Sequence, residues 1–175
     1  MPHPISSEKL FHVSETAGLT RFEPRADASG RRVVWAIGAT RLHNYLLPRD
    51  CPRVTYYATA TTTAVDRAAF FSAATTDAVI AIERDWFDAV AATPLYVYEF
   101  DPRPFILDDA IAAYYVTTQA VAPLGCERIE SPLRALLARP IELRVVASLM
   151  PLRDRVIASS LGFSIIRLRN ARGAA

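Results

Sequence analysis

The sequence predicts an α+β fold in which two small, mostly antiparallel sheets pack together and helices lie outside them. Short strand-like runs alternate with helical ones, and the 12 prolines stand mainly at element boundaries. In the run 94–100, Tyr96, Tyr98 and Phe100 share one face while Glu99 lies on the other. A strand of a parallel sheet is buried on both faces and rarely carries such a glutamate, so antiparallel pairing is favoured.

The strands are predicted by runs rich in Val, Ile, Tyr, Phe and Leu, which suit a pleated and half-buried surface. These runs are residues 9–14, 33–37, 53–58, 78–82, 94–100, 114–118, 121–129, 142–147 and 163–169. Apolar residues at helical spacing predict helices at residues 39–47, 64–74, 84–92, 132–138 and 152–160. Thr63 and Ser131 are expected to cap two of these helices.

Length and composition predict one globular domain over residues 1–175, with 51% hydrophobic and 22% charged residues. A net charge of +2 argues against nucleic acid as a partner and against membrane binding, since polyanion-binding surfaces carry a clustered basic excess.

Lys9 is the only lysine, so almost all of the positive charge is arginine. Codon usage in a GC-rich genome explains the many arginines, and recognition of phosphate or carboxylate by guanidinium groups is the alternative.

The cysteines and histidines predict neither a disulfide framework nor a metal site. Cys51 and Cys126 lie far apart without CxxC spacing, and the histidines at positions 3, 12 and 43 have no ligand spacing. The N-terminus lacks the basic and apolar regions of a signal peptide, and no apolar run approaches the roughly 20 residues of a membrane helix. A cytoplasmic location is therefore expected.

The first predicted strand and the turn behind it hold the leading candidate residues. His12 is an imidazole between apolar neighbours, and Ser14 shares its face by alternation. A neutral imidazole donates from one nitrogen and accepts at the other, which suits a ribose hydroxyl. Arg21 and Arg25 follow closely and suit an anion. The alternative is that His12 has a purely structural role.

The proline-bounded segment 44–53 is the second candidate region. Prolines stiffen such a loop and lower the entropy that binding costs, so Arg49 is a candidate anion ligand. The alternative is a salt bridge from Arg49 or Arg53 to Asp50 that locks the connection. Cys51 has no neighbouring base in the pattern, so a nucleophilic role is not indicated.

Two further strands contribute candidates that a packing role explains equally well. Tyr115 and Thr117 share one face of a late strand, and Trp35 lies in an early one. Each aromatic ring suits either a core or the flat base of a ligand. Glu99 and Asp101, with Asp108 and Asp109 nearby, are the acidic candidates for base chemistry, although adjacent acids in a turn are usually just solvated.

Five segments together resemble an uncharacterised bacterial family of small proteins, and that family implies no particular activity. They are residues 10–14, 21–25, 33–37, 45–53 and 114–124.

The order of these segments is also similar, more distantly, to the ADP-ribosyltransferase fold. The resemblance implies that His12 contacts an NAD ribose, with Ser14 at the place where Ser or Thr follows it. Trp35 stands where a tyrosine usually stacks on nicotinamide. Tyr115 replaces the late glutamate that polarises the ribose, and Glu99 lies on an earlier strand.

The leading hypothesis is therefore an ADP-ribosyltransferase-like cleft that binds NAD or a related nucleotide, with no metal. Transfer is doubtful without the late glutamate, because electrostatic stabilisation of this kind contributes about 10²- to 10³-fold in rate. An enzyme of this type would transfer ADP-ribose or phosphate, with His12, Tyr115 and Glu99 as catalytic candidates. The candidates for ligand binding are Ser14, Arg21, Arg25, Trp35, Arg49 and Thr117.

Two alternatives belong to other classes. One is a protein-interaction module or homodimer in which the same residues are structural. The other binds RNA ends or a phosphate-bearing ligand through the arginines at positions 21, 25, 31 and 32.

Overall fold

The computed structural model describes residues 8–71 and 76–174, and their contacts form two compact units. The first unit comprises the described residues up to Tyr45 together with Pro94–Glu130, and the second comprises Leu46–Thr93 and the chain from Ser131 onward. Each unit is built from two separate stretches of chain. The single globular domain expected over residues 1–175 stays a prediction.

The described residues form strands and short helices, numbered here in chain order. The strands are β1 (Leu10–Ser14), β2 (Arg25–Ala26), β3 (Arg32–Gly38), β4 (Arg53–Tyr57), β5 (Ala78–Glu83), β6 (Leu95–Phe100), β7 (Ile106–Asp109), β8 (Tyr114–Thr117), β9 (Gly125–Ile129), β10 (Glu142–Val146) and β11 (Gly162–Ile166). The α-helices are α1 (Ala64–Phe71), α2 (Phe87–Ala92), α3 (Pro132–Leu137) and α4 (Met150–Ile157), and the 3-10 helices are Ala39–Tyr45, Arg84–Trp86 and Leu168–Asn170.

The first unit is an antiparallel sheet in the order β7-β8-β3-β1-β6-β9, and β2 also pairs with β3. Residues that lie directly opposite in such a sheet project from the same face. Leu10 faces Phe100, and Ala36 faces Tyr115. This face carries a hydrophobic cluster of Leu10, Val34, Ala36, Phe100, Phe105 and Tyr115, against which Phe22 and Val121 pack.

The second unit has a four-stranded sheet in the order β10-β5-β4-β11, in which only the β10 and β5 pair is parallel. One face of this sheet packs against helices α1 and α4. Their Phe70, Phe71 and Val156 join Val54 and Tyr56 in one buried cluster. Because burial of such side chains contributes roughly 2 kcal/mol each, this helix-covered face is a main source of the unit's stability.

The structure confirms the predicted α+β class with two mostly antiparallel sheets. Both predicted helix caps are also confirmed, since Thr63 Oγ1 accepts a hydrogen bond from the Asp66 backbone (3.2 Å) and Ser131 caps α3. The predicted strand 121–129 begins only at Gly125, in β9, and Val121 instead forms an isolated bridge with Phe22. Residues 72–74 of the predicted helix 64–74 lie outside the described residues.

Two strands, β2 and β7, were not predicted, because both are short and rich in charged residues. The predicted helix 39–47 is instead a shorter 3-10 helix. None of the helices in the described parts of the chain is long and apolar enough to cross a membrane.

Candidate ligand site

A segment of the first unit that we name the strap, residues 15–24, lies against the sheet face that carries the hydrophobic cluster. The buried Tyr98 on β6 holds it. The Tyr98 hydroxyl donates to the Thr16 backbone oxygen (2.7 Å) and accepts from the Leu19 N–H (3.1 Å). Further along the strap, Phe22 makes two backbone hydrogen bonds of 2.8 and 3.1 Å to the segment after β8.

His12 is half-buried on β1 beneath the strap. Its Nδ1 lies 3.2 Å from the Trp35 backbone oxygen, and the two atoms share a hydrogen bond when that nitrogen carries the proton. The Phe22 ring centroid is 4.9 Å from the imidazole, and the Phe100 centroid is 6.4 Å away. The imidazole is therefore positioned by backbone and aromatic contacts.

The polar residues near His12 are used locally. Ser14 Oγ accepts a hydrogen bond from the Thr16 N–H (3.0 Å), which stabilises the start of the strap. Arg21 Nε lies 2.5 Å from a Glu23 carboxylate oxygen. Arg25 is exposed on β2. Ser14 and Arg21 thus have partners within the strap, whereas Arg25 lies on a separate strand.

Tyr115 is buried on β8, on the same sheet face as His12, with Ala36 between them. Two strand spacings separate the two side chains, roughly 10 Å. The Tyr115 hydroxyl donates to Glu8 Oε2 (3.0 Å), and Glu8 Oε1 accepts from the Thr40 hydroxyl (2.8 Å). The N-terminal segment thus supplies a carboxylate beside the phenol, and Tyr115 belongs to the packed cluster.

Two candidates lie on the other face of this sheet, as the register dictates. Trp35 is one position from Ala36, and its ring makes an edge contact with Tyr114 at 5.8 Å. Glu99 is one position from Tyr98 and forms an ion pair with Lys9 at 3.0 Å. The structure therefore does not bring Trp35 or Glu99 to the face that carries His12 and Tyr115.

The remaining two candidates, Thr117 and Arg49, lie in different units. Thr117 is buried at the end of β8, where its hydroxyl accepts from the Gln119 N–H (3.2 Å). Arg49 belongs to the second unit, where its backbone oxygen accepts from Arg167 Nε (3.3 Å). Asp50 forms an ion pair with Arg167, whose Nε is 3.8 Å away, and the salt bridge expected from Arg49 or Arg53 to Asp50 stays a prediction.

The first unit has a shallow cleft of about 450 Å³ beside the ends of β6 and β8. Its walls are the turn after β6 and the segment after β8. The lining residues are Asp101, Arg103, Pro104, Gln119, Ala120, Val121 and Ala122. The cleft adjoins the hydrophobic cluster, because Val121 packs on that cluster and pairs with Phe22.

An ion pair forms one wall of this cleft. Arg103 Nε lies 2.9 and 2.8 Å from the two Asp101 carboxylate oxygens, and Nη2 also contacts Asp101. Hydrogen bonding to Arg103 lowers the pKa of Asp101 to about 2. The Arg103 side chain is 76% exposed. Within the described residues, Arg103 Nη1 and the Gln119 side-chain amide have no hydrogen-bond partner.

Sequence reasoning missed Arg103 as a candidate, although a signal was present. Arg103 stands between Pro102 and Pro104, the same arrangement of arginine and proline that drew attention to the 44–53 segment. Gln119 follows the late strand that holds Tyr115 and Thr117, and no pattern in the sequence distinguishes it as a ligand contact. Glu8 precedes the first predicted strand, and no local pattern connects it with Tyr115.

Neither the thiols nor the acidic residues of the described part of the chain indicate a nucleophilic or metal site. Burial raises the pKa of the Cys51 thiol to about 12, so this thiol stays protonated and unreactive. Cys126 is exposed on β9. Among the described residues, no group of three or more His, Cys, Asp or Glu side chains is placed to hold a metal ion.

The fold and the cleft define an α+β protein with two sheets and a polar hollow beside one of them. The chain belongs to the family described as "Family of unknown function (DUF6886)", which it matches over residues 11–171. No curated protein and no solved structure matches it. The predicted membership in an uncharacterised family is confirmed, whereas none of these comparisons gives the resemblance to ADP-ribosyltransferases.

Proposed function

We propose that the cleft of the first unit binds a phosphate-bearing nucleotide of the NAD or ADP-ribose class. The observation that supports this most directly is the Arg103 guanidinium, which stands at the cleft wall with part of its donor capacity unused. A volume of about 450 Å³ falls within the usual range of small-molecule sites. It suits one nucleotide moiety better than a whole dinucleotide.

The phosphate is assigned to Arg103. A guanidinium has five N–H donors, and Asp101 engages Nε and Nη2, which leaves Nη1 for an anion. Asp101 fixes the guanidinium plane, as pre-organised binding requires. Because the ionised Asp101 also repels an anion, we expect a modest dissociation constant of about 0.1 to 1 mM.

The sugar or base is assigned to the opposite wall. The Gln119 side-chain amide offers both a donor and an acceptor, which matches ribose hydroxyls and the edges of bases. The Val121 N–H and carbonyl are already used by Phe22. The His12 ring contacts the Phe22 ring, and Phe22 pairs with Val121 in the cleft wall. His12 therefore supports the Val121 wall of the cleft indirectly.

The proposed activity is binding without ADP-ribosyl transfer. A transferase of the type that the sequence resembles needs a carboxylate at the ribose. The resemblance puts Tyr115 at that position; Tyr115 is buried, and Glu99 lies on the other face of the sheet. We expect no release of nicotinamide when the protein is incubated with NAD.

Titration calorimetry with ADP-ribose, NAD and inorganic phosphate tests this proposal. We expect ADP-ribose to bind the native protein and to bind the Asp101→Asn/Arg103→Gln double variant at least about tenfold more weakly. The double variant removes the whole ion pair, so that no unpaired Asp101 carboxylate is left to repel the ligand. Gln119→Ala should weaken ADP-ribose more than phosphate.

Arg128→Gln is the matched control, because Arg128 is an exposed arginine paired with Glu130 (3.2 Å) on another part of the first unit. It should leave the affinity for ADP-ribose unchanged. The proposal is wrong if ADP-ribose gives no heat at millimolar concentration, or if the double variant binds as well as the native protein.

One observation favours a second candidate function, the assembly of two copies of this chain. The edge strand β7 has four exposed residues, and its Ile106 and Leu107 are 61% and 52% exposed. In the described residues, β8 is its sole ladder partner. Exposed apolar edge strands tend to pair with another chain. Light scattering checks this: a monomer at 100 μM would exclude it.

A further inference from the structure

The arginines of this chain are concentrated in its last quarter. Residues 131–175 contain eight arginines against two acidic residues, whereas the whole chain has 20 basic and 18 acidic residues. The rest of the chain is therefore net acidic. The small overall charge conceals a strongly basic segment, and that segment belongs to the second unit.

A tail of the second unit, residues 167–172, crosses one end of its sheet. Arg167 Nε donates to the Arg49 backbone oxygen (3.3 Å), and Asn170 Nδ2 donates to the Asp50 backbone oxygen (2.7 Å). Further along, the Arg172 N–H donates to Glu83 Oε2 (2.9 Å). The tail thus runs from the start of β4 to the end of β5, which are adjacent in the sheet.

A buried carboxylate fixes this tail in place. Glu83 is 3% exposed and accepts from the backbone N–H groups of Leu149 (3.0 Å) and Arg172. Leu168 packs inward on the hydrophobic cluster of the second unit. The tail is therefore ordered before any ligand arrives, which lowers the entropy that binding costs.

We name the exposed side of this region the arginine edge. It consists of Arg49, Arg84, Arg167, Arg169 and Arg172. Asp50 is 3.8 Å from Arg167, and Asp85 is 2.6 Å from Arg172. A further exposed carboxylate, Asp88, lies four residues after Arg84 in the chain.

Two members of the arginine edge have no acidic partner. Arg84 and Arg169 are both exposed, and neither forms an ion pair with any carboxylate in the part of the chain that the structure describes. Arg84 directly follows Glu83, and Arg169 lies three residues before Arg172, which Glu83 binds. Positive charge therefore exceeds negative charge at one place on the surface.

The N-terminal arginines, which suggested RNA binding from the sequence, have a different environment. Arg21 is paired with Glu23 at 2.5 Å, and Arg31 is paired with two carboxylates, Asp27 and Asp108, each at 2.8 Å. Arg32 donates to a backbone oxygen. Two of the four arginines, Arg21 and Arg31, are thus paired with carboxylates, and three acidic side chains stand among the four arginines of that cluster.

We propose that the arginine edge binds the phosphate backbone of a nucleic acid, by charge and without reading the base sequence. Guanidinium groups form paired hydrogen bonds with phosphate, and arginines spread over three chain segments suit an extended polyanion. A membrane surface is a poorer match, because the large apolar residue of the tail, Leu168, packs inward, so the tail itself supplies no apolar anchor.

Fluorescence anisotropy of a labelled 20-nucleotide single-stranded RNA tests the proposal with the full chain. We expect binding at 50 mM salt, with log K falling against log salt at a slope of about −2 to −3.5, as contacts to three to five phosphates imply. Two RNAs of unrelated sequence should bind equally well. Arg84→Gln/Arg169→Gln should weaken binding about tenfold and reduce the slope by about 1.4.

Arg67→Gln/Arg128→Gln is the matched control, because it removes the same charge from two exposed ion-paired arginines elsewhere. This control should bind RNA like the native protein. The proposal is overturned if RNA does not bind, if both double variants lose affinity equally, or if the Arg84 and Arg169 substitutions abolish binding to phosphatidylserine vesicles while RNA binding persists unchanged.

Discussion

The strap of the first unit and the tail of the second both cross a sheet, but the two segments are held by different chemistry. The strap is held by a neutral phenol, Tyr98, and by the Phe22 ring. The tail is held by the buried Glu83 carboxylate. The arginine of the strap is paired with an acid beside it, whereas the tail exposes more positive than negative charge.

This difference shows that an arginine count does not locate an anion site. Exposed ion pairs contribute little to stability, but they do remove the net charge that a polyanion would recognise. Arg21 and Arg169 look alike in the sequence, and only the placement of the surrounding carboxylates separates them. The predictions below test this contrast, from the largest expected effect to the smallest.

The largest effect should come from the anchor of the tail. Glu83→Ala leaves the buried Leu149 N–H and the partly buried Arg172 N–H without an acceptor, so we expect the free energy of unfolding to fall by about 3 kcal/mol. Urea unfolding measures this. Asp85→Ala, which removes an exposed ion pair with Arg172, is the control and should change stability little. Equal losses for the two variants would contradict the role of Glu83.

The anchor of the strap should have a smaller effect. Tyr98→Phe removes the hydrogen bonds to Thr16 and Leu19, which should lower the free energy of unfolding by about 1 to 2 kcal/mol. Hydrogen exchange at the Leu19 amide should become faster. Tyr96→Phe, on the same sheet face, is the control, since in the described residues its hydroxyl has no hydrogen-bond partner. Unchanged Leu19 exchange in Tyr98→Phe would show that Phe22 alone holds the strap.

A single substitution in each region sharpens the comparison further. Arg169→Gln should weaken RNA binding about threefold. Arg31→Gln should leave it nearly unchanged, because Asp27 and Asp108 already neutralise that guanidinium. Anisotropy at 50 mM salt measures both. A larger effect from Arg31→Gln would place the nucleic-acid contact in the first unit and reverse our assignment.

The smallest effect concerns pH. Hydrogen bonds from Ser29, and then from Arg31, lower the pKa of Asp27 to about 2. Because the pKa is lower in the folded protein than in the unfolded chain, the stabilisation is complete above about pH 4 and is lost as pH falls toward 2. A carbon-detected NMR titration should give a midpoint near 2. A midpoint at the ordinary value of 3.8 would show that the Asp27 turn is open.

Local patterns predicted much of the fold, because helix caps and strand alternation depend on neighbouring residues. Ser131 capped its helix as expected, and the faces of β6 followed from alternation. The cleft could not be predicted, since it depends on a bridge between Phe22 and Val121, which are far apart in the sequence.

The sequence also could not predict which side chains of different strands project from the same face of the sheet. Alternation shows that Ser14 shares a face with His12, but only the register between β1 and β3 shows that Trp35 does not. The excess of arginine in the last 45 residues can be read from the sequence, but the net charge of +2 for the whole chain does not reveal it. A charge count per segment would have revealed it.

A two-dimensional ¹⁵N NMR titration of the full chain tests the central claim, that the two units carry separate anion sites of different kinds. We predict that ADP-ribose shifts the amides of residues 101–104 and 119–122, and that single-stranded RNA shifts those of residues 84–85 and 167–172. If both ligands shift one common set of amides, or if the RNA shifts map to residues 21–32, the account is contradicted.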